Sequence, residues 1–338
     1  MSQATQGMST ATGRGRSFWR SVIRSQEFGV FIILVVMSIF LSVYTRVTTG
    51  RDLFLAPTNI FNNLRAFSWI AVSAFGQCMV IITAGIDLSV GSVMAWAGLV
   101  SAMLLVRGVP VVAAVVAGLA AGAFVGLLNG LMISKGRLPP FIATLGTLMM
   151  FRGVVLGFTE GQPVRGLGDT FGIIGRYDIP IGSIGIPLPL VITLVLAVLV
   201  HIFLTRTVWG YRIYALGGNE TAAGLSGINT NGVKILVYSL CAFLTAIGGV
   251  MMTARLGVAS PTAATGYELD VIAAAVVGGT SLSGGEGSIL GVLIGAAIMQ
   301  ALRNGLVLTG VSAYWLQAVQ GLVIVVAIMF DQLRKSRR

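Results

Sequence analysis

Long apolar runs, separated by short polar or Gly/Pro-rich stretches, dominate the chain. A helix needs about 20 mostly apolar residues to cross the hydrocarbon core of a bilayer, and most of the runs approach that length. The pattern predicts an all-α, polytopic integral membrane protein with about ten transmembrane helices. The predicted spans lie near 28–45, 62–84, 88–106, 110–133, 139–158, 187–205, 233–254, 268–283, 286–303 and 313–331.

Composition and charge support solvation by lipid. Of 338 residues, 56% are hydrophobic and only 10% are charged, which is too few charged groups to cover a water-soluble globule. The net charge of +11 does not indicate nucleic acid, because the basic residues lie in short loops and at the termini without forming a stripe. Their distribution follows the positive-inside rule and favours two cytoplasmic termini.

The chain divides into one membrane domain and two basic tails. Residues 1–27 form a cytoplasmic leader. The apolar run that follows is too long for a removable signal peptide and has no small-residue cleavage site. Residues 28–331 form the transmembrane domain, which includes a polar loop at about 206–234. Residues 332–338 form the second cytoplasmic tail.

Two pairs of short segments indicate an internal repeat. Leu88–Ser92 is similar to Leu282–Gly285, and Asn129–Met132 is similar to Asn304–Val307, in the same order along the chain. Paired, Gly-interrupted segments are typical of duplicated transporters, and an offset of five spans would make the repeats inverted. Chance similarity between Gly-rich apolar stretches is the alternative.

Polar residues between apolar runs are the candidates for a translocation path. Asp87 would cost a few kcal/mol or more as a bare charge in lipid, so we expect it to cap a broken-helix junction rather than to contact substrate directly. A second polar turn surrounds Glu286. The predicted path and junction residues are Asp87, Ser89, Ser92, Asn129, Thr280, Ser281, Ser283, Glu286 and Asn304.

The 206–234 loop contains a short predicted helix. Asn219 is suited to the N-cap, Glu220 to the first turn and Gly227 to the end. Such a helix on the cytoplasmic side could fill a groove in a partner protein, or it could be an ordinary interfacial helix. The sequence has no phosphate-binding G-x-x-x-x-G-K-[ST] loop of its own.

Four motifs together resemble a known family: Thr83–Ser92, Tyr214–Asn229, Pro261–Asp270 and Gly278–Gly287. In these the chain is similar to the permeases of bacterial monosaccharide ABC importers, the ribose-type branch of a family that includes branched-chain amino acid permeases. The resemblance implies a permease of the inner membrane without enzymatic activity or cofactor. ATP would be bound by a separate ABC ATPase, and a periplasmic sugar-binding protein and a second permease copy or paralogue would complete the complex.

The resemblance also implies roles for two sets of residues. The residues expected to couple to the ATPase are Asn219, Glu220, Ala222, Ala223, Gly224, Leu225 and Gly227. Charged residues of the outer loops would dock the binding protein and set its register. They are Arg51, Asp52, Glu160, Arg165, Arg255 and Glu268.

Two other functions stay open on the sequence. An ion-coupled secondary transporter of a small polar solute could have the same spans and repeats, although it would use intramembrane carboxylates for coupling. A membrane enzyme is disfavoured because one histidine and no cluster of His, Cys or carboxylate residues leave little acid-base chemistry.

Overall fold

The computed structural model describes residues 26–182 and 184–310, with scattered positions from 312 to 329. Most of the predicted basic leader, most of the predicted span at 313–331 and the tail at 332–338 lie outside the described residues.

The described chain is built from helices and one small hairpin. In chain order these are α1 Gln26–Thr49, α2 Pro57–Ile82, α3 Val90–Leu105, α4 Val111–Ser134, α5 Pro140–Thr159, α6 Asp169–Arg176, β1 Asp178–Ile181, β2 Ile184–Pro187, α7 Leu188–Arg206, α8 Val208–Gly218, α9 Glu220–Leu225, α10 Thr230–Leu256, α11 Tyr267–Val277 and α12 Ile289–Leu308. The antiparallel hairpin pairs Asp178 with Pro187 and Ile181 with Ile184.

Within the described residues, seven helices are long and apolar enough to cross a membrane, and α3 is a shorter apolar helix. The polytopic all-α fold is therefore confirmed. The count of about ten spans stays a prediction. The run predicted at 268–283 is helical only to Val277, because Gly278 and Gly279 open a turn in which Gly279 has a φ of +95°.

Helix α2 is the centre of the bundle, and every residue from Phe67 to Ile82 is buried. Helices α4 and α10 pack against each other through small residues. A Cβ at Gly130 would lie 2.7 Å from the Ile235 Cα, and one at Gly126 would lie 2.6 Å from the Ala242 Cβ. Glycines four residues apart share one helix face, so the two backbones can approach closely.

Two stretches have the same order of elements: a long helix, a non-helical segment, a shorter helix and another long helix. The first stretch is α2, 83–89, α3 and α4, and the second is α10, 257–266, α11 and α12. Helices α2 and α10 run antiparallel, because Gly76 packs on Cys241 while Asn62, near the start of α2, bonds Arg255, near the end of α10. The two stretches are thus arranged in opposite directions.

This arrangement changes the predicted pairing of segments. By element order, the junction at 83–89 corresponds to 257–266, so the predicted match of Leu88–Ser92 with Leu282–Gly285 is wrong. That match rests on local similarity of Gly/Ser composition. Asn129 and Asn304, in contrast, do lie on corresponding helices, α4 and α12.

Candidate transport site

A buried chain of hydrogen bonds holds the first junction. Asp87, 1% exposed, accepts hydrogen bonds on Oδ1 from the Ser89 amide (2.8 Å) and the Ser89 hydroxyl (2.6 Å). The Asn129 side-chain amide donates to Ser89 Oγ over 3.0 Å, and Thr147 Oγ1 donates to Asn129 Oδ1 over 2.8 Å. The network ties the junction to α4 and α5.

The position of Asp87 differs slightly from the expectation. Helix α3 begins at Val90 and has no side-chain cap at Ser89, so the carboxylate bonds the amide of the residue before the helix rather than one in its first turn. Ser92 joins the same cluster by donating to the Ser89 carbonyl over 2.8 Å. The other carboxylate oxygen of Asp87, Oδ2, is buried without a hydrogen-bond partner among the described residues.

Three backbone segments cross at one end of the bundle, at Ile82, Gly217 and the turn 284–285. The Gly285 amide donates to the Ile82 carbonyl over 2.9 Å. A Cβ at Gly217 would overlap that same carbonyl oxygen and lie 2.6 Å from the Gly285 nitrogen. Only glycine fits there, so the ends of α2 and α8 and the turn form one packed unit, which we name the glycine crossing.

The second predicted polar turn lies beside the glycine crossing. Cys78 Sγ and Thr280 Oγ1 are 3.4 Å apart, and the Tyr214 hydroxyl donates to the Gly287 carbonyl over 2.8 Å. The Ser281 amide bonds the Glu286 carbonyl and closes the turn. Glu286 itself is exposed, as is Ser283. The predicted junction residues of this half therefore divide into two buried hydroxyl residues, Thr280 and Ser281, and two exposed residues, Ser283 and Glu286.

The predicted short helix is present as α9, directly after the glycine crossing. Asn219 Oδ1 accepts a hydrogen bond from the Ala222 amide over 2.9 Å, which is the expected N-cap. Glu220 pairs with Lys234 at 2.6 Å, and Gly227 ends the segment with a φ of +84°. These contacts fix α9 against the start of α10.

One face of α9 is exposed. Ala223 is buried against the protein, whereas Ala222 and Gly224 are exposed and Leu225 is 87% exposed. The face consists of small residues around one large apolar side chain, outside the helices that could span a membrane. Such a shape fits a complementary apolar pocket on another protein.

The opposite end of the bundle carries most of the predicted docking residues. Arg51, Glu160 and Arg165 are exposed there. Asp52 accepts hydrogen bonds from the Leu55 amide (2.9 Å) and the Ser42 hydroxyl (2.6 Å), and these bonds lower the pKa of its carboxyl. Arg255 donates to Asn62 Oδ1 over 2.8 Å.

Glu268 does not belong with these surface residues. Its Oε2 is buried and unpartnered among the described residues, and it packs against Gly91 at the start of α3. The segment 257–266, which consists mostly of turns, leads back into the bundle before α11 begins, and this carries Glu268 inward. The prediction of Glu268 as a docking residue treated the whole segment as an outer loop. The structure places the side chain half-buried, and its docking role stays a prediction.

The predicted path residues form separate groups. Asp87, Ser89, Ser92 and Asn129 form one cluster, and the turn containing Thr280 forms a second. Asn304 lies at the other end of the molecule, where it exchanges two side-chain hydrogen bonds with Asn59, at 2.9 and 3.0 Å.

Sequence reasoning missed several polar contacts between helices. Asp270 is 2% exposed and pairs with Arg303 at 2.8 Å, and the Arg303 guanidinium lies over the Tyr267 ring at 4.5 Å. Arg65 pairs with Asp178 of the hairpin. Charged residues within apolar runs are the signal that could have identified them.

Comparisons with known proteins identify relatives along nearly the whole chain. The model of the family described as the branched-chain amino acid transport system permease component matches residues 59–328. The ribose import permease protein RbsC of Bacillus subtilis (strain 168) is 45% identical over 311 residues, covering 91% of this chain and 92% of that protein. No solved structure matches the chain.

Two further relatives have lower identity. The D-allose transport system permease protein AlsC of Escherichia coli (strain K12) is 36% identical, covering 91% of this chain and 92% of that protein. The xylose transport system permease protein XylH of Haemophilus influenzae (strain ATCC 51907 / DSM 11121 / KW20 / Rd) is 34% identical, covering 93% and 99%.

Apolar helices interrupted by buried polar junctions define a multi-pass membrane permease. The chain belongs to the family of permease components of branched-chain amino acid transport systems, and the resemblance seen in its motifs is confirmed.

Proposed function

We propose that this chain is the transmembrane permease subunit of an ATP-driven importer that moves a monosaccharide, a ribose-like pentose or a related sugar, into the cytoplasm. Its similarity over nearly the whole chain to permeases named for ribose, allose and xylose supports the substrate class. The observation that carries the mechanism is the exposed face of α9, a helix that directly follows the glycine crossing in the chain.

The α9 end of the bundle faces the cytoplasm in this proposal. A separate ABC ATPase supplies the driving force, and Leu225 inserts into an apolar pocket on its surface. When α9 moves, the ends of α2 and α8 move with it as one unit. The close backbone contacts of the glycine crossing leave no room for these two helix ends to slide past each other. The interrupted helices then rock and open the path on alternate sides.

The opposite end faces the periplasm of an inner membrane. Its exposed charges at Arg51, Glu160 and Arg165 meet the sugar-binding protein and set its orientation. A second permease, either a copy of this chain or a paralogue, completes the path.

Sugar-dependent ATPase activity tests the substrate assignment. The chain, the ATPase and the binding protein are reconstituted in nanodiscs, and ATP hydrolysis is measured with ribose, xylose, allose and leucine. We expect at least one of the three sugars to stimulate hydrolysis and leucine to have no effect. Stimulation by leucine alone would contradict the proposal.

One observation favours a second candidate, the ion-coupled transporter. The buried Asp87 Oδ2 has no hydrogen-bond partner among the described residues, and it could accept a proton or a cation. In vesicles that contain only this chain, uptake driven by a proton or sodium gradient would favour this alternative.

A further inference from the structure

Helix α8 begins where the apolar helix α7 ends. The 19 residues of α7 give a length of about 28 Å, close to the roughly 30 Å of the hydrocarbon core of a bilayer. Val195, Leu199 and Ile202 form an exposed apolar stripe along α7, and the exposed Arg206 ends the helix. The stripe suits contact with acyl chains, so Arg206 and the start of α8 lie at the level of the lipid headgroups.

A tight corner turns α8 away from the direction of α7. Thr207, between the two helices, has an extended backbone, and its hydroxyl accepts a hydrogen bond from the Gly210 amide over 3.2 Å. A Cβ at Gly210 would lie 2.7 Å from the Leu204 Cα, so the first turn of α8 packs on the last turn of α7. Because of this corner, α8 does not continue the span, and its first residues stay beside the end of α7.

One face of α8 holds the helix to the bundle, and much of the rest is exposed. Ile213 and Leu216 are buried on the inner face. Val208 is exposed, Trp209 is 40% exposed and Tyr211 is 70% exposed. Large aromatic side chains that are exposed at headgroup level are typical of the contact between a membrane protein and the bilayer interface.

Two arginines beside these aromatic rings carry charge that the described part of the protein does not neutralise. Arg206 and Arg212 form no ion pair among the described residues. The sequence has no acidic residue between Asp178 and Glu220, and those two carboxylates already pair with other residues. The Arg212 guanidinium lies 5.0 Å from the centre of the Trp209 ring, a cation–π contact that holds it beside the ring.

We propose that Arg206, Trp209, Tyr211 and Arg212, which we name the α8 patch, bind the headgroup of an anionic phospholipid. Guanidinium groups bind phosphate oxygens through paired N–H donors, and Trp and Tyr rings favour the boundary between acyl chains and headgroups. One phospholipid matches both parts of the patch. The exposed face of α9 differs, because it has Leu225 and no aromatic ring, the surface expected for a pocket on a protein.

Lipid retention by the purified permease tests the site without the ATPase or any transported solute. Native mass spectrometry measures the apparent Kd of phosphatidylglycerol and of phosphatidylcholine with the same acyl chains. The test variant is the double substitution Arg206→Gln/Arg212→Gln, and the charge-preserving variant is Arg206→Lys/Arg212→Lys. The matched control is Arg107→Gln, which removes an exposed arginine from the turn after α3.

We expect the wild type to bind phosphatidylglycerol about five-fold more tightly than phosphatidylcholine, or better. Each arginine removed should weaken phosphatidylglycerol binding about five-fold, the effect of one cation near an anionic headgroup, and the Gln pair should therefore weaken it about 25-fold. The Lys pair and Arg107→Gln should stay within about three-fold of the wild type.

Two results would overturn the site. One is an equal loss of phosphatidylglycerol in the control and the Gln pair, since the binding would then reflect overall charge. The other is unchanged lipid binding in the Gln pair. If that pair also lost the ATPase in pull-down, the α8 patch would be a contact for the ATPase instead.

Discussion

The glycine crossing permits a sharp test, because two adjacent glycines differ completely in their surroundings. A Cβ at Gly217 would lie 2.6 Å from the Gly285 nitrogen and closer still to the Ile82 oxygen, whereas one at Gly218 would have no atom within 4 Å. An unbonded carbon and oxygen rest at about 3.3 Å or more, so Gly217→Ala must separate the backbones by roughly 1.5 Å. Gly218→Ala needs no movement.

Overpacking of this kind costs about 1–3 kcal/mol, and here every neighbour is backbone that cannot rotate away. We expect Gly217→Ala to lower the melting temperature of the purified permease by several degrees. We also expect it to reduce transport per ATP by about ten-fold or more in the reconstituted complex, because the end of α8, which leads directly into α9, would no longer be held against α2. Gly218→Ala should stay within about 0.5 kcal/mol of wild type.

The assays are thermal unfolding in detergent and labelled-sugar uptake with parallel measurement of ATP hydrolysis. Equal stability and equal coupling in the two variants would refute the claim that the crossing transmits movement. A loss of stability with intact coupling would limit the crossing to a structural role.

Three further predictions concern separate parts of the molecule. Leu225→Asp should leave folding intact, because the side chain is 87% exposed, but abolish binding of the ATPase in pull-down and in sugar-dependent hydrolysis; retained binding would exclude this face as the contact. Gly126→Val should prevent stable insertion, because its Cβ would lie 2.6 Å from the Ala242 Cβ, whereas Gly146→Val, with no atom within 4 Å, should be expressed at wild-type levels. The lowered pKa of Asp52 means that its contribution to stability is present above the unfolded-state pKa of about 4 and is lost as the pH falls through the lower folded-state value. Asp52→Asn should therefore flatten the acid side of the melting-temperature profile, and an unchanged profile would show that these hydrogen bonds contribute nothing.

The spans could be predicted from the sequence to within a few residues where proline marks their start. Helices predicted at 110–133 and 139–158 begin at Val111 and Pro140, directly after Pro110 and Pro139. The N-cap at Asn219 could also be predicted, because capping depends on residues three positions apart. Local chemistry determines these features.

Features that depend on distant segments could not be predicted. The contact of Gly217 with Ile82 and Gly285 joins three parts of the chain that share no pattern. The inward position of Glu268 depends on the return of 257–266 into the bundle, and its composition gives no sign of that return. The hairpin at 178–187 is too short for its alternation to be distinguished from a loop.

The most direct test of the mechanism is uptake of radiolabelled ribose into proteoliposomes, with and without the ATPase partner. With the binding protein and the ATPase present, we expect accumulation that requires ATP and that stops when Glu220–Leu225 is replaced by a flexible Gly/Ser segment of equal length. Accumulation by the permease alone, or continued accumulation after that replacement, would contradict the central claim that α9 transmits the driving force from a separate protein.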